Sequence, residues 1–121
     1  MPIARPVLKR LHSPDAYDLH TFQPTDPKAF GILVQAMFGP ENSEGEESFD
    51  IVVCTPAWLE RQLKANGIID ARHHLIVGEF DLPRLQRFLT EYGNQCAAET
   101  WGEMALKLSR LGKWEFEDYR P

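Results

Sequence analysis

The chain has 121 residues, a hydrophobic content of 43% and a formal net charge of −5. This length and apolar content fit one domain with a hydrophobic core, so we expect a single domain over residues 1–121. No apolar run approaches the roughly 20 residues that a transmembrane helix requires. The N-terminal residues also lack the pattern of a secretion signal. We therefore expect a cytoplasmic protein.

The charge is unevenly distributed along the chain. Residues 1–40 contain four basic and three acidic side chains, whereas residues 41–121 contain nine basic and fifteen acidic ones. Nucleic-acid binding depends on clustered Lys and Arg that contact phosphates, and no basic stripe is present. The composition therefore argues against direct binding of DNA or RNA.

Strand signals dominate the first half of the chain. Residues 3–11 predict a strand that Pro6 confines to the edge of a sheet. Residues 30–38 predict a second strand whose alternate apolar residues share one face. A loop at 39–47 separates it from a third strand at 49–54. We expect the second and third strands to form an antiparallel hairpin whose tip projects into solvent.

Helix signals dominate the second half, interrupted by a fourth predicted strand at 75–80. Each helix has a polar N-cap and a glycine at its expected end. The caps, in chain order, are Thr55 before Pro56 with Gly67, Asp81 with Gly93, and the pair Thr100 and Glu103 with Gly112. The residues expected to face the core are Trp58, Leu59 and Leu63, then Leu82, Leu85, Phe88, Leu89 and Tyr92, then Trp101, Met104, Ala105, Leu108 and Leu111.

The order β-β-β-α-β-α-α predicts an α+β fold. We expect a mainly antiparallel sheet of about four strands, with three helices packed on one face.

The residues that could support catalysis are few. Cys54 precedes a helix N-terminus, a position that lowers the pKa of a thiol, and with His73 or His74 it could act as a nucleophile. A small buried residue is the commoner role for such a cysteine. The histidines and the two cysteines lack metal-binding spacing, and Cys54 and Cys96 are expected to be reduced. We expect no enzyme activity, no cofactor and no metal; a small Cys/His enzyme is the weaker alternative.

The loop between the second and third strands is acidic and contains no basic residue. The ordinary role of such a charge run is to solubilise a hairpin tip. Its alternative role is to attract a basic protein, because clustered charge accelerates association with an opposite surface. The carboxylates are Glu41, Glu44, Glu46, Glu47 and Asp50.

The C-terminal residues alternate between aromatic and charged side chains. This alternation is typical of a half-buried strand, so we expect Trp114 and Phe116 to pack in the core. The following residues, from Glu117 to Arg120, include the Tyr and Arg side chains that often anchor interfaces.

Three segments together resemble the immunity protein 8 family. They are residues 48–59, which include Cys-Thr-Pro-Ala-Trp-Leu, residues 74–81, which read His-Leu-Ile-Val-Gly-Glu-Phe-Asp, and residues 99–121, which end in Trp-Glu-Phe-Glu-Asp-Tyr-Arg-Pro. The resemblance implies a cytoplasmic, non-catalytic α+β protein that binds and neutralises a cognate toxin domain of a bacterial polymorphic toxin system.

An acidic inhibitor of this kind suits a basic target such as a nuclease. The toxin-binding candidates are Glu44, Glu46, Glu47, Glu117, Asp118 and Tyr119. A regulatory or structural protein-binding module unrelated to toxins is the alternative function.

Overall fold

The computed structural model describes residues 4–117, which form five strands and three helices. The predicted α+β class and the order of the first seven elements are confirmed, and a two-residue fifth strand follows them. The elements are β1 Pro6–His12, β2 Gly31–Pro40, β3 Glu47–Cys54, α1 Pro56–Asn66, β4 His74–Ile76, α2 Leu82–Asn94, α3 Trp101–Leu108 and β5 Lys113–Trp114.

The strands form one mostly antiparallel sheet with the order β1-β2-β3-β4. The β2–β3 pairing is the predicted hairpin. β1 is an edge strand, as predicted, and it runs over Pro6–His12 where the sequence predicted a strand over residues 3–11. β4 runs parallel to the end of β3, with Val53 opposite Leu75. β5 pairs antiparallel with the beginning of the same edge of β3, with Phe49 opposite Trp114.

The hydrophobic core lies between one face of the sheet and the helices α2 and α3. The side chains of a strand alternate between the two faces, and the predicted alternation of β2 is confirmed. Full burial of a large apolar side chain contributes about 1.5–3 kcal/mol to folding. The buried residues are Ile32, Val34, Ala36 and Phe38 of β2, Phe49, Ile51 and Val53 of β3, Leu82, Leu85 and Leu89 of α2, and Met104, Ala105 and Leu108 of α3.

Helix α1 contributes no buried residue to this core. Its Trp58 lies against Gly31, where an added Cβ would come within 2.3 Å of the indole ring. Because Gly31 precedes the buried Ile32 in β2, Trp58 covers the face opposite the core. Helices α2 and α3 therefore share one face of the sheet, as predicted for all three helices, whereas α1 lies on the other face. The prediction that Leu63 faces inward was wrong, since its exposed fraction is 47%. The first turn of α1 makes the packing contact, and Leu63 lies beyond it.

The predicted helix N-caps are confirmed. The side chain of Thr55 accepts a hydrogen bond from the backbone N–H of Trp58, and Asp81 and Thr100 cap α2 and α3 in the same way. Gly67, with φ of 78°, ends α1 in the left-handed conformation.

The other two predicted helix ends differ from the structure. α2 continues through Gly93 to Asn94, and α3 ends before Gly112, at Leu108. Both glycines permit close packing: a Cβ at Gly93 would lie 3.0 Å from Phe38, and one at Gly112 would lie 2.9 Å from Ile51.

Candidate functional site

The acidic loop forms the tip of the β2–β3 hairpin, and residues 41–45 are exposed. Basic residues at the beginning of the chain partly neutralise it. Arg5 Nε lies 3.3 Å from a Glu41 carboxylate oxygen, and an Arg10 guanidinium nitrogen lies 2.6 Å from Glu46 Oε1. Lys9 donates a hydrogen bond to the carbonyl of Ser43. Such exposed pairs contribute little to stability, yet they reduce the negative field of the tip.

Among the predicted contact residues of the tip, Glu44 is exposed and has no ion pair within residues 4–117. Glu46 is half-buried and paired with Arg10. Glu44 is therefore the carboxylate of the tip that is most available to an external cation.

Glu47 makes contacts inside the protein. Its Oε1 accepts hydrogen bonds from the indole nitrogens of Trp101, at 2.9 Å, and Trp114, at 2.8 Å. These bonds join the beginning of β3 to α3 and β5. Because charged acceptors form the stronger hydrogen bonds, Glu47 stabilises the packing of both tryptophans.

The prediction that Trp114 packs in the core is confirmed, since this partly buried side chain packs against the buried core residues. Its half-buried ring stacks on Phe49, with centroids 6.4 Å apart and an interplanar angle of 9°. The next residue is held to β3 by two hydrogen bonds: Ser48 N donates to Glu115 Oε1 at 2.6 Å, and Glu115 N donates to the Ser48 carbonyl.

The prediction that Phe116 belongs to the core was wrong, because its exposed fraction is 38%. A turn follows β5, in which Glu117 N donates to the Trp114 carbonyl at 3.0 Å, and this turn ends the strand alternation. Glu117 itself lies 3.4 Å from Arg72, just before β4. Asp118 and Tyr119 lie outside the described residues.

The cysteines do not have the environment of a catalytic thiol. Cys54 is fully buried, and burial raises the pKa of its thiol, so the prediction of a lowered pKa was wrong. Loss of solvent around the sulfur disfavours the charged thiolate. The two histidines that could activate Cys54 each have a ring nitrogen within hydrogen-bond distance of a backbone carbonyl. His73 Nε2 lies 2.8 Å from the Ser109 carbonyl oxygen, and His74 Nδ1 lies 2.9 Å from the Arg72 carbonyl oxygen.

Two further properties hold for residues 4–117. They contain no group of three or more His, Cys, Asp or Glu side chains that could hold a metal ion. None of the helices in this range has the length and apolar character needed to cross a membrane.

A groove of about 430 Å³ lies between β4 and α2, at the opposite end of β3 from the hairpin tip. We call it the β4–α2 groove. Two apolar side chains on its border are substantially exposed, Ile76 at 56% and Phe88 at 44%. The lining also includes Leu75, Val77, Phe80 and Arg84. The sequence predicted Phe88 as core, which was wrong, and it did not indicate the groove.

The family model described as immunity protein 8 matches residues 6–119 of the chain. The chain belongs to the immunity protein 8 family. The match includes both the acidic hairpin and the β4–α2 groove of this immunity protein 8 member. Neither a curated protein nor a solved structure matches the chain.

Proposed function

We propose that the chain is a non-catalytic immunity protein that binds and neutralises a cognate bacterial toxin domain in the cytoplasm of the producing cell. The observation that carries this proposal is the immunity protein 8 match over residues 6–119. The buried Cys54, with its raised thiol pKa, supports inhibition by binding rather than by covalent chemistry.

The excess of carboxylates suggests the character of the target. The chain has a net charge of −5, and nucleases present basic surfaces to phosphate, so a nuclease domain is a suitable partner. The inhibitor would place its carboxylates where the toxin binds phosphate, or would cover the entrance to that site.

The proposed contact residues remain Glu44, Glu46, Glu47, Glu117, Asp118 and Tyr119. The environments of the four candidates within residues 4–117 support different roles for them. Glu44 is the exposed contact, whereas Glu47 acts indirectly by holding Trp101 and Trp114 at the base of the hairpin. Glu46 and Glu117 are each paired with an arginine and are expected to influence the rate of association.

A survival assay tests the function directly. The C-terminal domain of the secreted protein encoded by the neighbouring gene is expressed in a naive host, with and without this chain. We expect toxicity that this chain suppresses, together with a complex that co-purifies. A toxic domain that is neither bound nor neutralised by the chain would contradict the proposal.

The Cys54→Ala variant separates inhibition by binding from Cys/His catalysis. Removal of the thiol sulfur leaves a binding surface unchanged, so we expect full protection in the survival assay, with the folded state checked by circular dichroism. Loss of protection by a folded Cys54→Ala variant would favour the catalytic alternative.

A further inference from the structure

Three consecutive residues at the base of the β2–β3 hairpin are held by other parts of the protein. Glu46 Oε1 lies 2.6 Å from a guanidinium nitrogen of Arg10 on β1. Glu47 Oε1 accepts hydrogen bonds from the indoles of α3 and β5, and Ser48 N donates to Glu115 Oε1 at 2.6 Å. The exposed tip therefore extends from a base that β1, α3 and the C-terminal strand hold in place.

The contacts of Glu47 require an oxygen acceptor. Both donors are neutral indole N–H groups, and no basic side chain within residues 4–117 pairs with Glu47. Glu47 Oε2 accepts no hydrogen bond from the same residues. An amide oxygen has the lone pairs that the two bonds need, and a negative charge strengthens such bonds without being required for them.

The two indoles are also fixed by packing. The ring of Phe49 stacks on Trp114 and meets Trp101 edge-on, each with centroids 6.4 Å apart, and Phe38 packs edge-on against Phe49 at 5.8 Å. Phe38 is the β2 partner of Glu47 in the hairpin register. The hydrogen bonds to the indoles therefore fix the end of the hairpin ladder to the aromatic part of the core.

We propose that Glu47 is a positioning residue for the acidic tip. Its carboxylate locks the base of the hairpin to α3 and β5, and the lock presents Glu44 to the toxin domain in a preorganised loop. Order that exists before binding does not have to be created at the expense of affinity. This inference rests on the proposed function, with the hairpin tip as a contact of the toxin domain.

Magnetic resonance relaxation of the backbone amides tests the lock in the free protein. Glu47→Ala removes the acceptor, and Trp114→Phe removes one donor while keeping an aromatic ring beside Phe49. The order parameters of residues 41–46 should be about 0.85 in the unchanged chain, as in rigid backbone, and should fall below about 0.6 in both variants. Unchanged order parameters in both variants would overturn the lock.

The matched control is Trp58→Phe, the same substitution at the other end of β2. Trp58 lies against Gly31, and its indole nitrogen makes no hydrogen bond within residues 4–117. Its replacement should leave the order parameters of residues 41–46 unchanged. Circular dichroism checks that every variant is folded.

Calorimetric titration with the neighbouring gene's toxin domain separates the position of Glu47 from its charge. Glu47→Ala and Trp114→Phe should each weaken binding by about threefold or more, because the tip must then be ordered during binding. Glu47→Gln should restore most of the affinity that Glu47→Ala loses. A folded protein that is only less stable would bind normally, so this readout does not respond to a purely structural role.

The remaining outcomes separate the lock from the function. Weak binding by Glu47→Gln together with normal binding by Trp114→Phe would make Glu47 a direct charge contact and overturn the positioning role. Equal binding by the unchanged chain and all variants would overturn that role and leave the immunity function standing. Failure of the unchanged chain to bind the toxin domain would overturn both.

Discussion

At the scale of single residues, Glu47 shows how an apparent surface charge can be structural. Replacing it with Ala would leave two half-buried indole N–H groups without their acceptor. An unsatisfied polar group costs about 1–3 kcal/mol, and we expect Glu47→Ala to lower the free energy of unfolding by an amount in this range. Urea denaturation followed by tryptophan fluorescence measures the change.

The matched control for this prediction is Glu44→Ala in the same hairpin. Glu44 is exposed and unpaired within the described residues, so its loss should change the free energy of unfolding by less than about 0.5 kcal/mol. Equal effects of the two substitutions would show that the indole contacts contribute nothing to stability.

Cys54 provides a second prediction at the residue scale. Burial raises the pKa of its thiol above the ordinary value of 9.0 in the folded state only. The stabilising effect of this neutral thiol is complete below pH 9 and is lost as pH rises through the folded pKa, because the unfolded chain releases its proton first. The free energy of unfolding should therefore fall on the alkaline side of pH 9.

Urea denaturation at a series of pH values from 8 to 10.5 measures this effect. Cys96 is also buried, and burial likewise raises the pKa of its thiol, so the Cys54→Ala variant should retain part of the pH dependence. If the free energy of unfolding of Cys54→Ala falls as steeply above pH 9 as that of the unchanged chain, Cys54 does not contribute to the pH dependence.

At the scale of secondary-structure elements, we expect opposite effects on stability when Gly39 and Gly102 are each replaced by Ala. A Cβ at Gly39 would lie 1.9 Å from the backbone carbonyl oxygen of Gly45, so the hairpin must open to accept it. A Cβ at Gly102, in the first turn of α3, meets no atom within 4 Å. Gly39→Ala should destabilise the protein by about 1–3 kcal/mol, whereas Gly102→Ala should stabilise it by up to about 1 kcal/mol.

Thermal unfolding of the two alanine variants checks this prediction against the unchanged chain. The melting temperature should decrease for Gly39→Ala and increase for Gly102→Ala. A decrease for both variants would mean that Gly102 is constrained by more than its helical conformation.

The elements themselves could be predicted because their signals are local. Thr55, Asp81 and Thr100 are followed by helices that their side chains cap, and the alternation of β2 alone assigns one face to the core. The exposure of Leu63 and Phe88 could not be predicted in this way. A helical apolar pattern shows which residues share a face, and only the tertiary packing decides how far that face is covered.

The candidate site was harder to predict than the helices and strands, because its contacts are also decided by tertiary packing. The acidic loop contains no basic residue in the sequence, yet the pairing of β1 with β2 brings Arg5, Lys9 and Arg10 to it from more than 30 positions away. The β4–α2 groove depends on which edge of β3 receives β4. The order of the strands and the neutralisation of the acidic loop both depend on residues that are far apart in sequence, and no local motif encodes them.

At the scale of the whole molecule, the hairpin tip and the β4–α2 groove lie at opposite ends of β3. The hairpin tip precedes Glu47, and the β4–α2 groove lies beside Val53. Six residues of extended strand separate these positions by about 20 Å. A standard interface buries about 800 Å² on each partner and can span this distance, so both regions can contact one toxin domain.

The exposed carboxylate of the hairpin tip should affect the rate of association with the toxin domain. Peripheral charges mainly alter the rate of association, and buried central contacts mainly alter the rate of dissociation. Reversal of the unpaired charge with Glu44→Lys should slow association with the toxin domain and reduce its dependence on salt concentration. Surface plasmon resonance at several salt concentrations measures both rate constants. An association rate that is the same for Glu44→Lys and for the unchanged chain at every salt concentration would exclude the hairpin tip from the interface.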